Sequence, residues 1–372
     1  MTVRYLEKEE FGRCRSLWEE AFPEDSRSFG DYYFSRKLPR SRVLVKEDAH
    51  GKMLTMAHLN PYLLRAGECR FQTDYIVGVA TAADSRHQGH MRDVLIKMME
   101  DMHRDKMPFC FLMPASPAIY EPFGFVYIYD QPVLRPDEAA LSSFECREIR
   151  LDEEAEKLAR WMNGWLEKRY QVYAERDEDY MRLLQAELES EKGSVQGWFD
   201  ERGELTALRA EWGLGKREQR FFYGKEDRYA RLPQKGEGED VSHPAIMARI
   251  TNAAEIMKAV HVSEDCPCPS MEVALRIRDP QVKGNDGIWI WRLDRQGGRL
   301  DRQGEGTEQA GGCLGSSTED ALVSTEILDI SVEKLTAWLF GYRRLEDLLE
   351  EEVPFWCDYI QTLQGVFLDE VV

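Results

Sequence analysis

The sequence lacks the long apolar runs, the basic excess and the dense cysteines that mark several classes of protein. None of its 372 residues lies in a stretch near the ~20 apolar residues that span a membrane. The first ten residues contain no apolar core of a signal peptide. Lys and Arg number 49 against 68 Asp and Glu, whereas nucleic-acid binding depends on cations that meet phosphates. We therefore expect a cytoplasmic protein with no membrane span and no nucleic-acid partner.

Eight cysteines are too few and too scattered for a disulfide framework in a chain of this length. The closest pair is Cys266 and Cys268, and no second cysteine pair or histidine pair stands at zinc-binding spacing. We expect reduced thiols and no metal site.

The negative charge is confined to the later part of the chain. Residues 1–136 carry equal numbers of basic and acidic side chains, so the remainder carries the whole net charge of −19. Such a surface favours a cationic partner or substrate, although an acidic excess also simply supports solubility. Hydrophobic residues make up 43% and aromatic residues 11%, which predicts ordinary cores in two or three domains.

Hydrophobic periodicity predicts a mixed α/β fold in three units. In the first, an amphipathic helix over 6–22 precedes several strands and then a strand–helix–strand succession. In the second, helices alternate with strands, a polar loop covers 233–240, and a helix is predicted over 246–260. In the third, strictly alternating strands surround a Gly-rich hairpin loop over 297–315, and Ser331 begins a helix.

The most informative segment joins a long strand to a long helix through a polar loop. The strand ends at Val79-Ala80-Thr81, the loop contains Arg86 and Gly89, and apolar residues then recur at helical spacing from Met91. Backbone amides at such a helix start carry partial positive charge and point outward, which suits a pyrophosphate. An ordinary turn between a strand and a helix gives the same pattern.

A second segment, from Met113 to Phe125, reads on its own as a Pro-rich turn with packed aromatic side chains. Together the two segments resemble the Gcn5-related N-acetyltransferase superfamily. There, Arg/Gln-x-x-Gly-x-Gly/Ala binds the pyrophosphate of acetyl-CoA, and a Tyr before Phe-Gly-Phe/Tyr is the general acid. Arg86 to Met91 matches with one departure, because Met91 stands where Gly or Ala is usual. That change narrows the loop but leaves the amides of residues 87–92 available.

The order of the units narrows the resemblance to the Eis (enhanced intracellular survival) family. Its members join two acetyltransferase-like domains, the second degenerate, to a sterol-carrier-like C-terminal domain. Leu335 to Tyr342 is similar to the helix–Gly–Tyr element of that last module. The resemblance implies domains over 1–136, 137–268 and 269–372, and a homo-oligomer, which is a hexamer in the family.

The resemblance also implies a site that acetylates an amine with acetyl-CoA by direct attack. The residues implied for acetyl-CoA binding are Val79, Ala80, Thr81, Arg86, His87, Gln88, Gly89, His90, Met91, Arg92, Ala115 and Ser116. Tyr120 looks like the general acid, since a phenol with a pKa near ~10 stays protonated at neutral pH. The implied base is the C-terminal carboxylate, here that of Val372, and Asp369 and Glu370 are rival carboxylates.

Three functions remain open at this point. The first is acetylation of a cationic acceptor, either an aminoglycoside-like amine, a polyamine or a lysine side chain. The second is a tandem-domain aminoacyl transferase that uses charged tRNA, against which the acidic surface and the intact pyrophosphate loop both argue. The third is a lipid- or protein-binding protein whose acetyltransferase domain is idle.

Overall fold

A computed structural model describes residues 1–233, 241–303 and 321–370 of the chain. Its α-helices, labelled α1 to α10 in chain order, are Arg15–Ala21, Arg27–Tyr32, His90–Arg104, Pro117–Tyr120, Glu138–Leu141, Ala155–Glu167, Glu178–Ser190, Ala253–Ile256, Val332–Leu339 and Leu345–Leu348. Its strands, labelled β1 to β21, are Thr2–Tyr5, Arg42–Glu47, Met53–Ala66, Cys69–Thr81, Phe109–Leu112, Val126–Pro132, Arg135–Pro136, Glu145–Ile149, Val172–Ala174, Ser194–Phe199, Leu205–Trp212, Glu218–Gly224, Ala230–Arg231, Ser242–Ile250, His261–Val262, Ser270–Arg278, Gly287–Asp294, Gly298–Arg302, Ala321–Ser331, Ile360–Gln361 and Val366–Phe367. Helical turns of 3-10 type lie at Lys8–Cys14, Leu38–Arg40, Ala83–Ser85, Glu121–Phe123, Asp227–Tyr229, Met257–Ala259 and Phe355–Tyr359, and a π-helical turn lies at Tyr33–Lys37.

The largest sheet in the described residues has nine strands. Seven of them lie side by side in the order β1-β2-β3-β4-β5-β14-β6. Neighbouring strands are antiparallel except β4 and β5, which are parallel. β9 pairs with the end of β3, and β21 pairs with β9. Mixed sheets with helices packed on them confirm the predicted α/β class.

Helix α3 packs across β2, β3 and β4 on one face of this sheet. It begins at His90, as its apolar spacing predicts, and buries the side chains of Val94, Leu95, Met98, Met99 and Met102. The helix predicted over 6–22 is instead a 3-10 turn followed by α1. Its apolar side chains are nevertheless buried as the pattern predicts, with Phe11, Cys14, Leu17 and Trp18 inside.

The helix predicted over 246–260 is wrong. Residues 242–250 form strand β14, which lies between β5 and β6, and only the short α8 and a 3-10 turn follow. Residues 245–250 are all buried, because neighbouring elements cover both faces of the strand. A strand buried on both faces has no alternating pattern, and periodicity alone does not distinguish it from a buried helix.

A second sheet has the antiparallel order β12-β11-β10-β8, and its predicted strands and helices α6 and α7 are confirmed. Two tryptophans tie α6 to this sheet. The Trp161 indole donates a hydrogen bond to the carbonyl of Leu205 at 2.9 Å, and the Trp165 indole donates to that of Gly224 at 2.6 Å.

A third sheet has the order β18-β17-β16-β19, in which β16 and β19 are parallel. The alternating segments predicted there are strands, and α9 follows Ser331 as predicted. Gly298–Arg302, predicted to lie in a loop, is strand β18. The rest of the predicted loop from residue 304, and residues 234–240 of the other polar loop, lie outside the described residues.

The first sheet draws strands from all three expected units, because β9, β14 and β21 follow Pro136 in the chain. The division at 136 and 268 therefore stays a prediction. In the described ranges, no helix has the length and apolarity needed to cross a membrane. The same ranges contain no cluster of three His, Cys, Asp or Glu side chains that could hold a metal ion.

Candidate active site

A bulge interrupts the pairing of β4 with β3 just before the end of β4. Met56 pairs with Ala80 and His58 with Val77, so β4 has one residue more than β3 in this interval. Gly78 lies in the bulge with a φ of 59°, and a Cβ there would lie 2.7 Å from a ring carbon of Trp18. Only glycine therefore fits at this position.

Beyond the bulge, β4 and β5 separate. Tyr75 and Phe111 form their one recorded pair, and the two rings stack with centroids 5.1 Å apart. In the part of the chain that the structure describes, no strand pairs with the β5-facing edge of β4 after Tyr75. The gap exposes the edge of Val79, Ala80 and Thr81 to an extended ligand that could pair as an added strand.

The loop from β4 to α3 presents backbone amides rather than side chains. His87 and Gly89 have φ values of 61° and 79°, and residues 86–89 are exposed. Among the described residues, no acceptor binds the backbone N–H groups of residues 86–92. Seven consecutive amides thus remain free at a helix N-terminus, which is the arrangement that anions bind.

The side chains of this loop contribute unequally. Arg86 donates from Nε to the Thr81 carbonyl at 3.2 Å, and Gln88 donates to the Asp84 carbonyl at 3.2 Å. Arg92 is exposed, Met91 is half-buried, and the His90 side chain is buried with Nδ1 unpartnered. His90 therefore offers a ligand its amide rather than its ring.

Tyr120 ends the short helix α4, which follows exposed Ala115 and half-buried Ser116. Its ring is buried against the edge of Phe125, with centroids 5.9 Å apart. The hydroxyl makes no hydrogen bond within the described chain and is not among its fully enclosed unpartnered atoms. Burial raises the pKa of Tyr120 to about 12, so the phenol stays protonated at neutral pH.

The chain returns to this region at Asp369 and Glu370, which are both buried. Asp369 accepts from Arg176 at 2.7 Å and from the Tyr223 hydroxyl, and its carbonyl accepts from Arg220 at 2.9 Å. Two elements of the second sheet region, the segment before α7 and strand β12, thereby fix the position of this segment.

Glu370 differs from Asp369 in having an oxygen to spare. Oε2 accepts from the Tyr180 hydroxyl at 2.9 Å, whereas Oε1 has no hydrogen-bond partner and lies 3.6 Å from Arg176. Burial and the neighbouring Asp369 raise the pKa of Glu370. Tyr75 lies within electrostatic reach of both Glu370 and Tyr120, so the end of the chain and the Tyr120 phenol face one region. Val371 and Val372 lie outside the described residues.

A cavity of about 820 Å³ lies between α1 and α2. Trp18 forms part of its wall, and the opposite edge of that ring contacts Gly78 in the bulge. Of its carboxylates, Glu19 and Asp31 both pair with Arg15 at 2.8 Å. Asp25 accepts from the Trp18 indole at 2.8 Å and has no ion pair within the described ranges.

Sequence patterns missed several of these features. The bulge at Gly78 and the uncompensated Asp25 both depend on Trp18, which is distant in sequence. The cluster that holds Asp369 joins residues almost 200 positions apart. Only the residue types, a glycine within an apolar strand and charged residues in a terminal apolar segment, could have drawn attention to them.

Comparison with known families identifies the class of this domain. Residues 2–128 match the sequence family described as "Acetyltransferase (GNAT) domain". The match covers the bulge, the amide loop and Tyr120. These residues form an acetyltransferase domain of the GNAT class, and the enzyme class of the chain is N-acetyltransferase.

Solved structures similar to nearly the whole chain are themselves described as acyltransferases. A probable N-acyltransferase from Enterococcus faecalis V583 has a TM-score of 0.71 at 14% identity, over 97% of this chain and 93% of its own. A GCN5-related N-acetyltransferase from Kribbella flavida has a TM-score of 0.70 at 15% identity, over 100% and 98%. Eis1 from Mycobacterium abscessus has a TM-score of 0.62 at 11% identity, over 97% and 94%. At such identities the similarity shows a shared fold, and no curated protein sequence matches the chain.

Proposed function

We propose that this protein transfers the acetyl group of acetyl-CoA to an amine of a cationic acceptor. The observation that carries the proposal is the run of seven free amides over 86–92, beside the open edge of β4. An anion-binding loop next to an unpaired strand edge suits a ligand that combines a pyrophosphate with an amide-containing arm. Acetyl-CoA is such a ligand, and the loop lies in the matched acetyltransferase domain.

The proposed placement of acetyl-CoA follows from these two surfaces. The pyrophosphate binds the amides of residues 86–92, and Arg86 and Arg92 supply positive charge nearby. The pantetheine arm pairs with Val79, Ala80 and Thr81. Ala115 and Ser116, which precede α4, lie at the thioester end.

The proposed chemistry is a direct transfer. A neutral amine attacks the thioester carbonyl, the C–N bond forms, and the C–S bond breaks. The thiolate that leaves takes a proton from the Tyr120 hydroxyl, which is free of other partners and protonated at neutral pH. The proton that the ammonium must lose passes to a base on the acceptor side.

For that base we propose the carboxylate of Val372, with Glu370 as its rival. Among the described carboxylates Glu370 is better suited than Asp369, because both Asp369 oxygens already accept hydrogen bonds. Glu370 keeps one oxygen unpartnered, and its raised pKa makes it a stronger base than an ordinary carboxylate. Glu370→Gln and a C-terminal extension separate the two assignments.

For the acceptor we propose the cavity between α1 and α2, with Asp25 as the residue that attracts a cation. Asp25 is the carboxylate there that no arginine neutralises, and the net charge of −19 favours a cationic acceptor. Asp25→Asn should raise KM for the acceptor and leave acetyl-CoA affinity unchanged. Asp31→Asn, whose carboxylate pairs with Arg15, is the matched control and should change KM less.

The remaining implications of the resemblance are proposals as well. They are a degenerate second acetyltransferase-like domain over 137–268, a sterol-carrier-like domain over 269–372, a homo-oligomer and a cytoplasmic location. None of them enters the chemistry above.

The proposal is tested by an acetyl-transfer assay with a panel of polyamines, aminoglycosides and lysine peptides, together with calorimetric titration of acetyl-CoA. We expect micromolar acetyl-CoA binding and turnover of at least one amine. Absence of acetyl-CoA binding would contradict the proposal and favour an idle domain or an aminoacyl transferase.

A further inference from the structure

The turn that carries Tyr120 is held by groups far away in sequence. Within the turn, the Gly124 N–H donates to the Glu121 carbonyl at 2.9 Å, and the Phe125 N–H donates to the Tyr120 carbonyl at 3.4 Å. The Phe123 carbonyl instead accepts from Nε of Arg249 at 2.7 Å. Arg249 belongs to strand β14, which neighbours β6 in the first sheet.

Arg249 is itself fixed by a fully buried ion pair. Its Nη2 donates to Oδ1 of Asp279 at 2.6 Å, and neither side chain is exposed. The Asp279 carboxylate also accepts the backbone N–H groups of Gln281 and Val282 at 3.0 and 2.9 Å. Asn285 donates to its second oxygen at 3.0 Å. A carboxylate with this many donors holds the guanidinium in one orientation.

The loop after β16 touches the same turn at a second point. Nε2 of Gln281 donates to the Pro122 carbonyl at 3.3 Å. Val282 is buried in the apolar cluster that also contains Tyr120, Phe123 and Phe125. The two carbonyls after Glu121 are therefore both held from this loop, one through Arg249 and one through Gln281.

We propose that the Arg249–Asp279 pair is a positioning device for Tyr120, through which the loop after β16 sets the place of the general acid. Arg249 touches the turn and not the reacting atoms, so it is a positioning residue rather than a catalytic one. Buried ion pairs often contribute little net stability, so stability alone does not account for this one. The inference rests on the proposed role of Tyr120.

The test uses Arg249→Lys in the full chain, with acetyl-CoA and the panel amine of highest turnover. Lysine keeps the positive charge beside Asp279 but lacks the fork that reaches Asp279 and the Phe123 carbonyl together. A displaced catalytic group can cost up to about 10²-fold in rate. We expect kcat to fall by about 10-fold or more, with acetyl-CoA affinity within about 2-fold of wild type.

The decisive readout is the same substitution in the Tyr120→Phe background. If Arg249 acts through Tyr120, Arg249→Lys should lower kcat there by less than about 2-fold, because the acid is already absent. An equal proportional loss in both backgrounds would mean a structural role and would overturn the proposal. Unchanged kcat in the single variant would overturn it as well.

Two further variants keep the outcome clear. If Arg249→Lys does not fold, Gln281→Leu, which removes the hydrogen bond to Pro122, is judged by the same cycle. Asp101→Asn is the matched control, since Asp101 is buried and pairs with Lys97 and Arg104 at 2.6 and 2.8 Å in α3. It should leave kcat unchanged. A Tyr120→Phe variant with normal kcat would instead contradict the proposed acid itself, and is thereby distinguished from a failure of the pair.

Discussion

The amide loop can be tested by adding a negative charge to it at Gly89. Gly89 has a φ of 79°, is exposed, and has no atom within 4 Å of a Cβ built on it. Gly51, at the tip of the β2–β3 hairpin, has a φ of 81° and equally open surroundings. Gly89→Glu and Gly51→Glu therefore add the same side chain and the same backbone strain, about 1–2 kcal/mol for a left-handed residue.

The two variants should differ in their effect on acetyl-CoA. A carboxylate ~5 Å from two phosphate charges costs about 2 kcal/mol at the dielectric of water and about 7 kcal/mol at an effective dielectric of ~20. Since 1.4 kcal/mol is tenfold, Kd should rise at least about 20-fold in Gly89→Glu and to the point of undetectable binding at the upper value. Gly51→Glu should bind acetyl-CoA with wild-type affinity.

Calorimetric titration measures both Kd values, and urea unfolding measures both stabilities. We expect similar losses of stability in the two variants and a loss of affinity in Gly89→Glu alone. Equal acetyl-CoA affinities in two folded variants would show that the amides of 86–92 do not bind the pyrophosphate.

Three other predictions follow from buried groups and from the chain end. Burial lowers the pKa of His58 to about 3, so only the unfolded chain takes up this proton as the pH falls below ~6.5. The free energy of unfolding of wild type should therefore fall by about 2 kcal/mol relative to His58→Gln between pH 7 and pH 5, and parallel pH profiles would refute this. Gly78→Ala should cost about 2–5 kcal/mol through its positive φ and its approach to Trp18, and a loss below about 1 kcal/mol in urea unfolding would contradict the bulge. A short tag appended after Val372 should suppress acetyl transfer without weakening acetyl-CoA binding, whereas equal turnover would move the base to Glu370.

How much of this architecture the sequence predicts depends on the range of the interactions involved. Helix α3 and its preceding loop follow from local periodicity and from one glycine, and both are confirmed. The order of β5, β14 and β6 was missed, because the core on both faces of β14 removes the alternation that marks a strand. The bulge at Gly78 was missed because the contact that demands glycine comes from Trp18 in a separate helix.

The candidate site divides in the same way. The residue types of the cofactor loop could be predicted, because a helix N-terminus binds anions by its own backbone. The engagement of Asp369 by Arg176 and Tyr223 could not, because each side chain alone is an ordinary charged or aromatic residue. Arg249 is a similar case, since an arginine within an apolar run gives no sign that it pairs with Asp279.

The central claim is that Tyr120 delivers the proton that the leaving thiolate needs, and Tyr120→Phe tests it most directly. The substitution keeps the buried ring and removes only the hydroxyl, which has no other partner in the described chain. We predict that kcat for acetyl transfer falls by about 10²–10⁴-fold, the usual contribution of a general acid, while the Kd for acetyl-CoA stays within about 2-fold. A folded Tyr120→Phe variant with wild-type kcat would contradict the account.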